Sequence, residues 1–375
     1  MAKKKKIRTE FRKNRVPRKR EGDWTRRFAA DAEANDSVRE ERISGKGELV
    51  RKRTVVSAST SDAGEVGFDV LLDVDQDCLR GRVLSVFGLT SEVQADNGLR
   101  YKCATRRLLK TMATEQRHVV AAGDRVLFRP APDQEGIIER VEPRHGVLSR
   151  QSKRRQHIIV TNVDQLLIIA SAAEPPLKPN LIDRFLMAAE KSRIEPIICL
   201  NKIDLANPAD LSPIIGVYSQ LGYQVLPTSA RTGQGIERLK RRMAGRESAV
   251  VGQSGVGKSS LLNVVEPGLG LRIATVSVET HKGRHTTTTA RLLPLSMGGY
   301  VVDTPGVRQF QLWDVIPKEV AGYFRDIRPF INRCKYPNCT HTHESHCAVK
   351  DAVADDLLDE RRYESYCRLF EGDWD

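Results

Sequence analysis

Gly252-Gln253-Ser254-Gly255-Val256-Gly257-Lys258-Ser259 fits the pattern G-x-x-x-x-G-K-S, the phosphate loop of an α/β nucleotide-binding sheet. Small residues at this spacing let successive backbone N–H groups curl around a phosphate chain. Lys258 is placed to reach the β and γ phosphates, Ser259 to ligate magnesium, and Ser260 follows on the same turn. Ala249-Val250-Val251 before the loop reads as a short buried strand, and the run from Ser260 to Val265 opens a helix whose N-terminus faces the anion.

Working back from that loop, Asn201-Lys202-Ile203-Asp204 follows the apolar strand Ile197-Ile198-Cys199-Leu200. It therefore sits at the carboxyl end of a strand, where α/β sheets bind ligands. An aspartate there accepts from both N–H groups on the Watson–Crick edge of guanine, a donor pair that adenine lacks. Asp204 thus chooses GTP over ATP, Asn201 braces the loop, and the Lys202 stem covers the base. Thr228-Ser229-Ala230, after the strand Gln224-Val225-Leu226, supplies a second base-contacting loop through the backbone at Ser229 and Ala230. In an ordinary GTPase the phosphate loop precedes the base loop. Here it follows, so the sheet reads as circularly permuted.

Downstream, Tyr300-Val301-Val302 is a strand ending in Asp303-Thr304-Pro305-Gly306. Asp303 can hold magnesium through water and the Gly306 N–H can sense the γ-phosphate. Before it, His285 precedes four threonines, 286 to 289, then an apolar strand from Leu292 to Leu295 and a Gly298-Gly299 turn, the pattern of a hairpin. One threonine is expected to ligate magnesium, with Thr287 preferred over Thr286. Many GTPases carry a water-orienting glutamine after the second switch motif, but this chain has Val307. His285 is the best candidate to position the water, with an RNA contact beside Lys282 and Arg284 as the alternative role. Unassisted turnover should then be slow.

The net charge is +13 over 375 residues, which implies acidic partners, nucleic acid first. Between Lys3 and Arg20 stand eleven lysines and arginines against one acid, Glu10. Such a run cannot bury apolar surface, so a disordered arm touching RNA phosphates is expected, with a solvating tail or nuclear-targeting signal as alternatives. No apolar stretch follows the charges as a secretory signal requires, and none has the length of a membrane span. A cytoplasmic monomer is the expectation.

From about Leu79 the texture becomes short alternating runs punctuated by Gly, Asn and Asp, which suggests a small barrel, specifically an OB-fold. Arg106, Arg107 and Lys110 would form a basic rim, and Phe87 and Tyr101 offer stacking surfaces. Near the other end Cys334, Cys339, His341 and Cys347 have the spacing C-x4-C-x-H-x5-C, three thiolates and one imidazole suited to structural zinc. His343 and His346 are substitute ligands, and a helix over Val349 to Phe370 would pack beside the site. The expected fold class is α/β: an N-terminal OB-fold barrel, a circularly permuted P-loop GTPase domain with a doubly wound sheet, and a C-terminal zinc-binding domain with helices. The expected divisions are 1–70 for the basic extension, 71–148 for the barrel, 149–310 for the GTPase domain and 311–375 for the zinc domain.

With these residues together, the chain resembles the ribosome small subunit-dependent GTPase A family, also called RsgA, YjeQ or YloQ. The resemblance covers about Leu79 to Phe370. It is carried by Gly81-Arg82-Val83, Cys103-Ala104-Thr105-Arg106-Arg107-Leu108-Leu109, the permuted motif order, Gly283-Arg284-His285-Thr286-Thr287-Thr288 and the cysteine cluster. It implies a late assembly factor that binds the small (30S) ribosomal subunit and its rRNA, is stimulated by it to cleave GTP to GDP and phosphate, and then leaves. It also implies that His285 positions the water and that the four clustered ligands hold zinc. Arg284 departs from many relatives, and the arm before Leu79 lies outside the match. A GTP-gated RNA-binding module and a permuted GTPase of large-subunit assembly are the competing readings.

Overall fold

The computed structural model describes residues 77–105, 120–152, 155–271, 290–303 and 316–372. The expected arm at 1–70 and the basic rim of Arg106, Arg107 and Lys110 lie outside them. Five strands open the described chain: β1 (Leu79–Phe87), β2 (Thr90–Ala95), β3 (Arg100–Thr105), β4 (Arg125–Ala131) and β5 (Glu135–Val141). Their order is β1-β2-β3-β5-β4, and β4 pairs back onto β1, which closes the barrel with the strand order of an OB-fold. Alternation explains the closure: Val83, Val93, Cys103, Val126, Phe128 and Ile138 point inward to one apolar cluster. Gly81 is needed there because a Cβ would stand 2.7 Å from Val93 and 2.8 Å from the Gln94 carbonyl. Tyr101, expected as a stacking surface, instead packs its ring 5.0 Å from that of Phe128 on the barrel core.

A two-stranded hairpin follows, β6 (Leu148–Ser152) and β7 (Arg155–Val160). Beyond it come β8 (Gln165–Ser171), helix α1 (Pro179–Lys191), β9 (Glu195–Asn201), α2 (Pro208–Gln220), β10 (Gln224–Pro227), α3 (Ile236–Met243), β11 (Glu247–Val251) and α4 (Lys258–Val265). The hairpin strands β12 (Arg291–Pro294) and β13 (Tyr300–Asp303) complete the sheet. β10, β9, β8, β11 and β13 run parallel in that order, with β12 antiparallel at the end. Successive residues of a strand face opposite sides, so Leu166 and Ile168 join a core with α1 and α2, whereas Leu167 and Ile169 join a second core with α3 and α4. Each such fully buried aliphatic contributes roughly 1.5–3 kcal/mol. This is the doubly wound sheet, permuted as the motif order requires.

Barrel and sheet share a strand. β1 pairs with β12 at Ser85 and Arg291, and while Val83 points into the barrel, Leu84 packs in the α1/α2 core. Across the same seam the Tyr300 hydroxyl donates to Gln94 Oε1 at 3.1 Å, and buried Arg82 lies against buried Glu247. Fully buried Asp124 ties the barrel to the chain leading into β8. It accepts from Arg144 Nε and Nη2 at 2.7 Å each, the Thr161 hydroxyl at 2.7 Å and the Ala121 amide at 2.8 Å.

The C-terminal module contains α5 (Val320–Tyr323), α6 (Ala348–Ala354) and α7 (Glu360–Glu371). The single helix expected over Val349 to Phe370 is thus two. Asp356, at φ 56°, turns the chain, and Asp359 restarts it by accepting the Arg361 amide at 3.0 Å. Asn180, a residue type that favours helix caps, lies inside α1 because Pro179 occupies the first turn. Its side chain accepts from the Ser365 hydroxyl at 2.7 Å instead.

Arg362, 3% exposed, anchors this module to α1 and α2. Its guanidinium pairs with Asp183 and, at 2.8 and 3.0 Å, with both oxygens of Asp326, while the Tyr218 hydroxyl donates to Asp183 at 2.7 Å. Burial pushes the Asp183 carboxyl above the usual range, against the pull of Arg362. Replacing Arg362 by methionine keeps the volume and orphans two carboxylates, so a loss of about 3–5 kcal/mol is expected in urea unfolding. Because the folded pKa of Asp183 is raised, the loss is smallest at pH values below the ordinary carboxylate range. It grows as pH rises through the folded value. A pH-independent loss below 1 kcal/mol would show that the network does not hold the module.

Candidate functional site

The carboxyl ends of β9, β8, β11 and β10 lie side by side in the parallel sheet, and the loops leaving them converge. Gly252 follows β11 at φ 145°, and a Cβ there would stand 2.1 Å from the Ile169 carbonyl of the neighbouring strand. Gly255 and Gly257 follow at φ 84° and 90°, and α4 begins at Lys258. Those left-handed positions wind Gln253, Ser254, Gly255 and Val256 into a ring above the helix N-terminus, a cradle of backbone N–H groups. Val256 is buried and pins the ring to the α3/α4 core. Lys258 Nζ donates to the Gly252 and Gln253 carbonyls at 2.8 and 2.7 Å, which holds its ammonium within the loop. Ser259 and Ser260 stand half-buried in the first turn of α4.

The loop after β9 reaches this ring directly. Asn201, 1% exposed, donates from Nδ2 to the Val256 carbonyl at 2.9 Å and accepts the Ala230 amide on Oδ1 at 3.2 Å. Lys202 sits in the left-handed region at φ 64°, and its Nζ donates to the Gly255 carbonyl at 2.8 Å and to the Glu174 carbonyl at 2.5 Å. Ile203 and Asp204 continue in a single 3-10 turn. Asp204 accepts the Ser229 hydroxyl on Oδ1 at 2.5 Å and pairs with Arg231 Nε through Oδ2 at 2.9 Å. The Ser229 hydroxyl first, and Arg231 with it, hold the Asp204 carboxyl below the usual carboxylate range, so it is ionised at neutral pH. The residues expected to read a base and those expected to grip phosphate are therefore one connected cluster. It combines a fixed anionic acceptor at one end with a cationic, N–H-rich ring at the other.

Asp303 ends β13, paired in register with Arg291, on the strand next to β11. His285, Thr287, its neighbouring threonines, Gly306 and Val307 lie outside the described residues. Sequence reading missed Arg231 and the Glu174 carbonyl, which enter through contacts between loops far apart in the chain.

Cys334, Cys339, His341 and Cys347 form a second cluster, with one ligand atom from each all within 4.8 Å of one another. His341 presents Nδ1, 3.3 Å from Cys334 Sγ and 3.5 Å from Cys347 Sγ. His343 is exposed and bonded to Thr342, and neither it nor His346 belongs to the set. The frame is rigid. Glu344 accepts the Thr340 amide and hydroxyl at 2.7 and 2.6 Å, and Tyr363 from α7 donates to the His341 carbonyl at 2.7 Å. Burial pushes the Cys339 thiol up to about 12, with Cys347 and Cys334 adding to it. Three thiols drawn this close ionise together only around a cation, so the donor set fits a metal ion.

With this geometry in place, comparison with known proteins is specific. Residues 141–313 match the family model described as RsgA GTPase. A protein of Sodalis glossinidius (strain morsitans) named small ribosomal subunit biogenesis GTPase RsgA is 39% identical over 301 residues, which cover 78% of this chain and 85% of the relative. The crystal structure of YjeQ from Thermotoga maritima superposes with a TM-score of 0.66 at 36% identity, covering 79% of this chain and 98% of that one. YloQ, described as a circularly permuted GTPase, gives 0.63 at 28% identity, with 80% and 97% covered.

Gly257 is where the ring presses on the loop after β9, since a Cβ there would meet Asn201 Nδ2 at 2.6 Å in a left-handed backbone. Gly257→Ala is expected to cost about 1–3 kcal/mol in thermal unfolding. Gly216→Ala, within α2 and with nothing near its Cβ, should be neutral or stabilise by up to ~1 kcal/mol. Equal behaviour of the two variants would contradict the packing described.

Proposed function

The chain belongs to the RsgA GTPase family, and from that membership we propose that it hydrolyses GTP to GDP and phosphate during late maturation of the small ribosomal subunit. The observation that carries the reading is Asn201, whose one amide joins the phosphate ring at Val256 to the second base loop at Ala230. A guanine nucleotide spans the same two places. Asp204 accepts N1–H and N2–H of guanine, Lys202 lays its stem along the base, and the Ala230 region meets O6. The N–H groups from Gly252 to Ser260 cradle the phosphates. Lys258 exchanges its two carbonyl partners for β and γ phosphate oxygens.

Magnesium bound with GTP would be held by Ser259 and Thr287, with Asp303 reaching it through water, and would neutralise charge between the β and γ phosphates. Gly306 reads the γ-phosphate through its N–H. Val307 offers no polar atom, so His285 orients the attacking water. The barrel, joined to the sheet through β1, provides one RNA-facing surface, where Phe87 is 56% exposed at the β1–β2 turn. The +13 net charge supports a partner rich in phosphate. Zinc is the ion we assign to Cys334, Cys339, His341 and Cys347, because three thiolates and an imidazole match its tetrahedral preference. No helix of the described residues is long and apolar enough to cross a membrane.

GTP turnover by the full chain, with and without purified small ribosomal subunits, tests the proposal. Stimulation is expected, and His285→Ala should lower the stimulated rate by roughly 100-fold or more while nucleotide still binds. Equal rates with and without subunits would sink it.

A further inference from the structure

Both oxygens of Asp204 are engaged by the loop after β10: Oδ1 by the Ser229 hydroxyl and Oδ2 by Arg231 Nε. The Asp204 side chain is 9% exposed and that of Arg231 72%, so the guanidinium is the outer cover of the carboxylate. The guanine edge presents N1–H and N2–H from nitrogens on one carbon, the same arrangement of donors that a guanidinium carries. Arg231 thus holds an acceptor that the base requires. We propose that Arg231 is an intramolecular competitor of guanine, capping Asp204 and being displaced when a guanine nucleotide binds. This inference rests on the base-reading role of Asp204 proposed above.

The loop is built so that the side chain can leave without the backbone. Its turn is fixed by Ser229 N to the Gln234 carbonyl at 2.9 Å, Gly233 N to the Ser229 carbonyl at 2.9 Å and Thr232 N to the Ser229 hydroxyl at 3.1 Å. Gly235, at φ 75°, closes the turn where a Cβ would stand 2.2 Å from the Pro227 carbonyl. Ser229 therefore remains as a brace while the exposed Arg231 swings into water. An exposed ion pair of this kind shifts an equilibrium by roughly twofold to fivefold. The competition acts on GDP and GTP alike. It slows their arrival and leaves their departure untouched, because a bound base has already removed Arg231 from the carboxylate. Adenine, lacking the donor pair, recovers nothing for the contact it would break.

Stopped-flow binding of a fluorescent GDP analogue to the full chain and to Arg231→Ala and Arg231→Gln measures this directly. The variants should associate about twofold to fivefold faster with unchanged dissociation, and the gap should narrow as salt screens the pair. Unchanged association, or faster dissociation showing that Arg231 holds the bound base, would overturn the proposal. Competition of unlabelled GDP and ADP against the analogue on the unsubstituted chain separates the two readings. If ADP competes as well as GDP, the base-reading role of Asp204 fails. If GDP wins and the variants associate no faster, only the competitor role of Arg231 fails.

Discussion

Asn201 and Lys202 are the point on which the rest of this structure turns, because they bond the loop after β9 to the ring after β11 across the strand ends between them. Lys202 Nζ reaches the Gly255 carbonyl and Asn201 Nδ2 the Val256 carbonyl, so the ring cannot shift without the base loop. The hydrogen bonds require two backbone choices: a left-handed Lys202 and a glycine at 257, where any side chain would press on Asn201. They also require β9, β8 and β11 to be parallel and in register, which the two apolar cores on either face of the sheet enforce. Chain order is free to change as long as those strand ends meet. Permutation therefore preserves the site while moving the termini elsewhere in the sheet.

That freedom has a structural use. With the phosphate loop late in the chain, the barrel enters at one edge through β1, which pairs with β12 and lends Leu84 to the sheet core. The C-terminal module docks on the α1/α2 face, where Met187 joins its apolar cluster and Arg362 pairs with both Asp183 and Asp326. Between barrel and sheet the seam is a shared strand; between sheet and C-terminal module it is a buried ionic network. Among the described residues the module's anchoring ion pairs run to α1 and not to the phosphate ring. Its placement is thus set by the body of the GTPase fold.

The glycine-rich ring after β11, the loop after β9 and the Cys/His cluster were legible as local features in the sequence because each is concentrated in a few adjacent residues, and the structure gathers those residues as expected. Barrel strands were legible from period-two alternation, and the structure closes them in OB-fold order. What escaped is non-local. The β6–β7 hairpin is too polar to show alternation, its pairs including Gln151 with Gln156 and Ser152 with Arg155. Asn180 lies within the first turn of α1 behind Pro179, and its amide oxygen serves Ser365, far along the chain. Tyr101 looked like a platform because exposure cannot be read from residue type. The Arg231 contact follows only once two loops are brought together in space.

On the proposed function, a base loop and a phosphate loop in reversed order build one guanine site, with Asp204 choosing the base. Equilibrium binding of GDP and xanthosine diphosphate to the unsubstituted chain and to Asp204→Asn tests this most directly, because xanthine carries a carbonyl where guanine carries its amino group. A crossover is expected, with the unsubstituted chain preferring GDP and the asparagine variant preferring xanthosine diphosphate by at least about tenfold. Equal weakening of both nucleotides, or a variant that still prefers GDP, would contradict it.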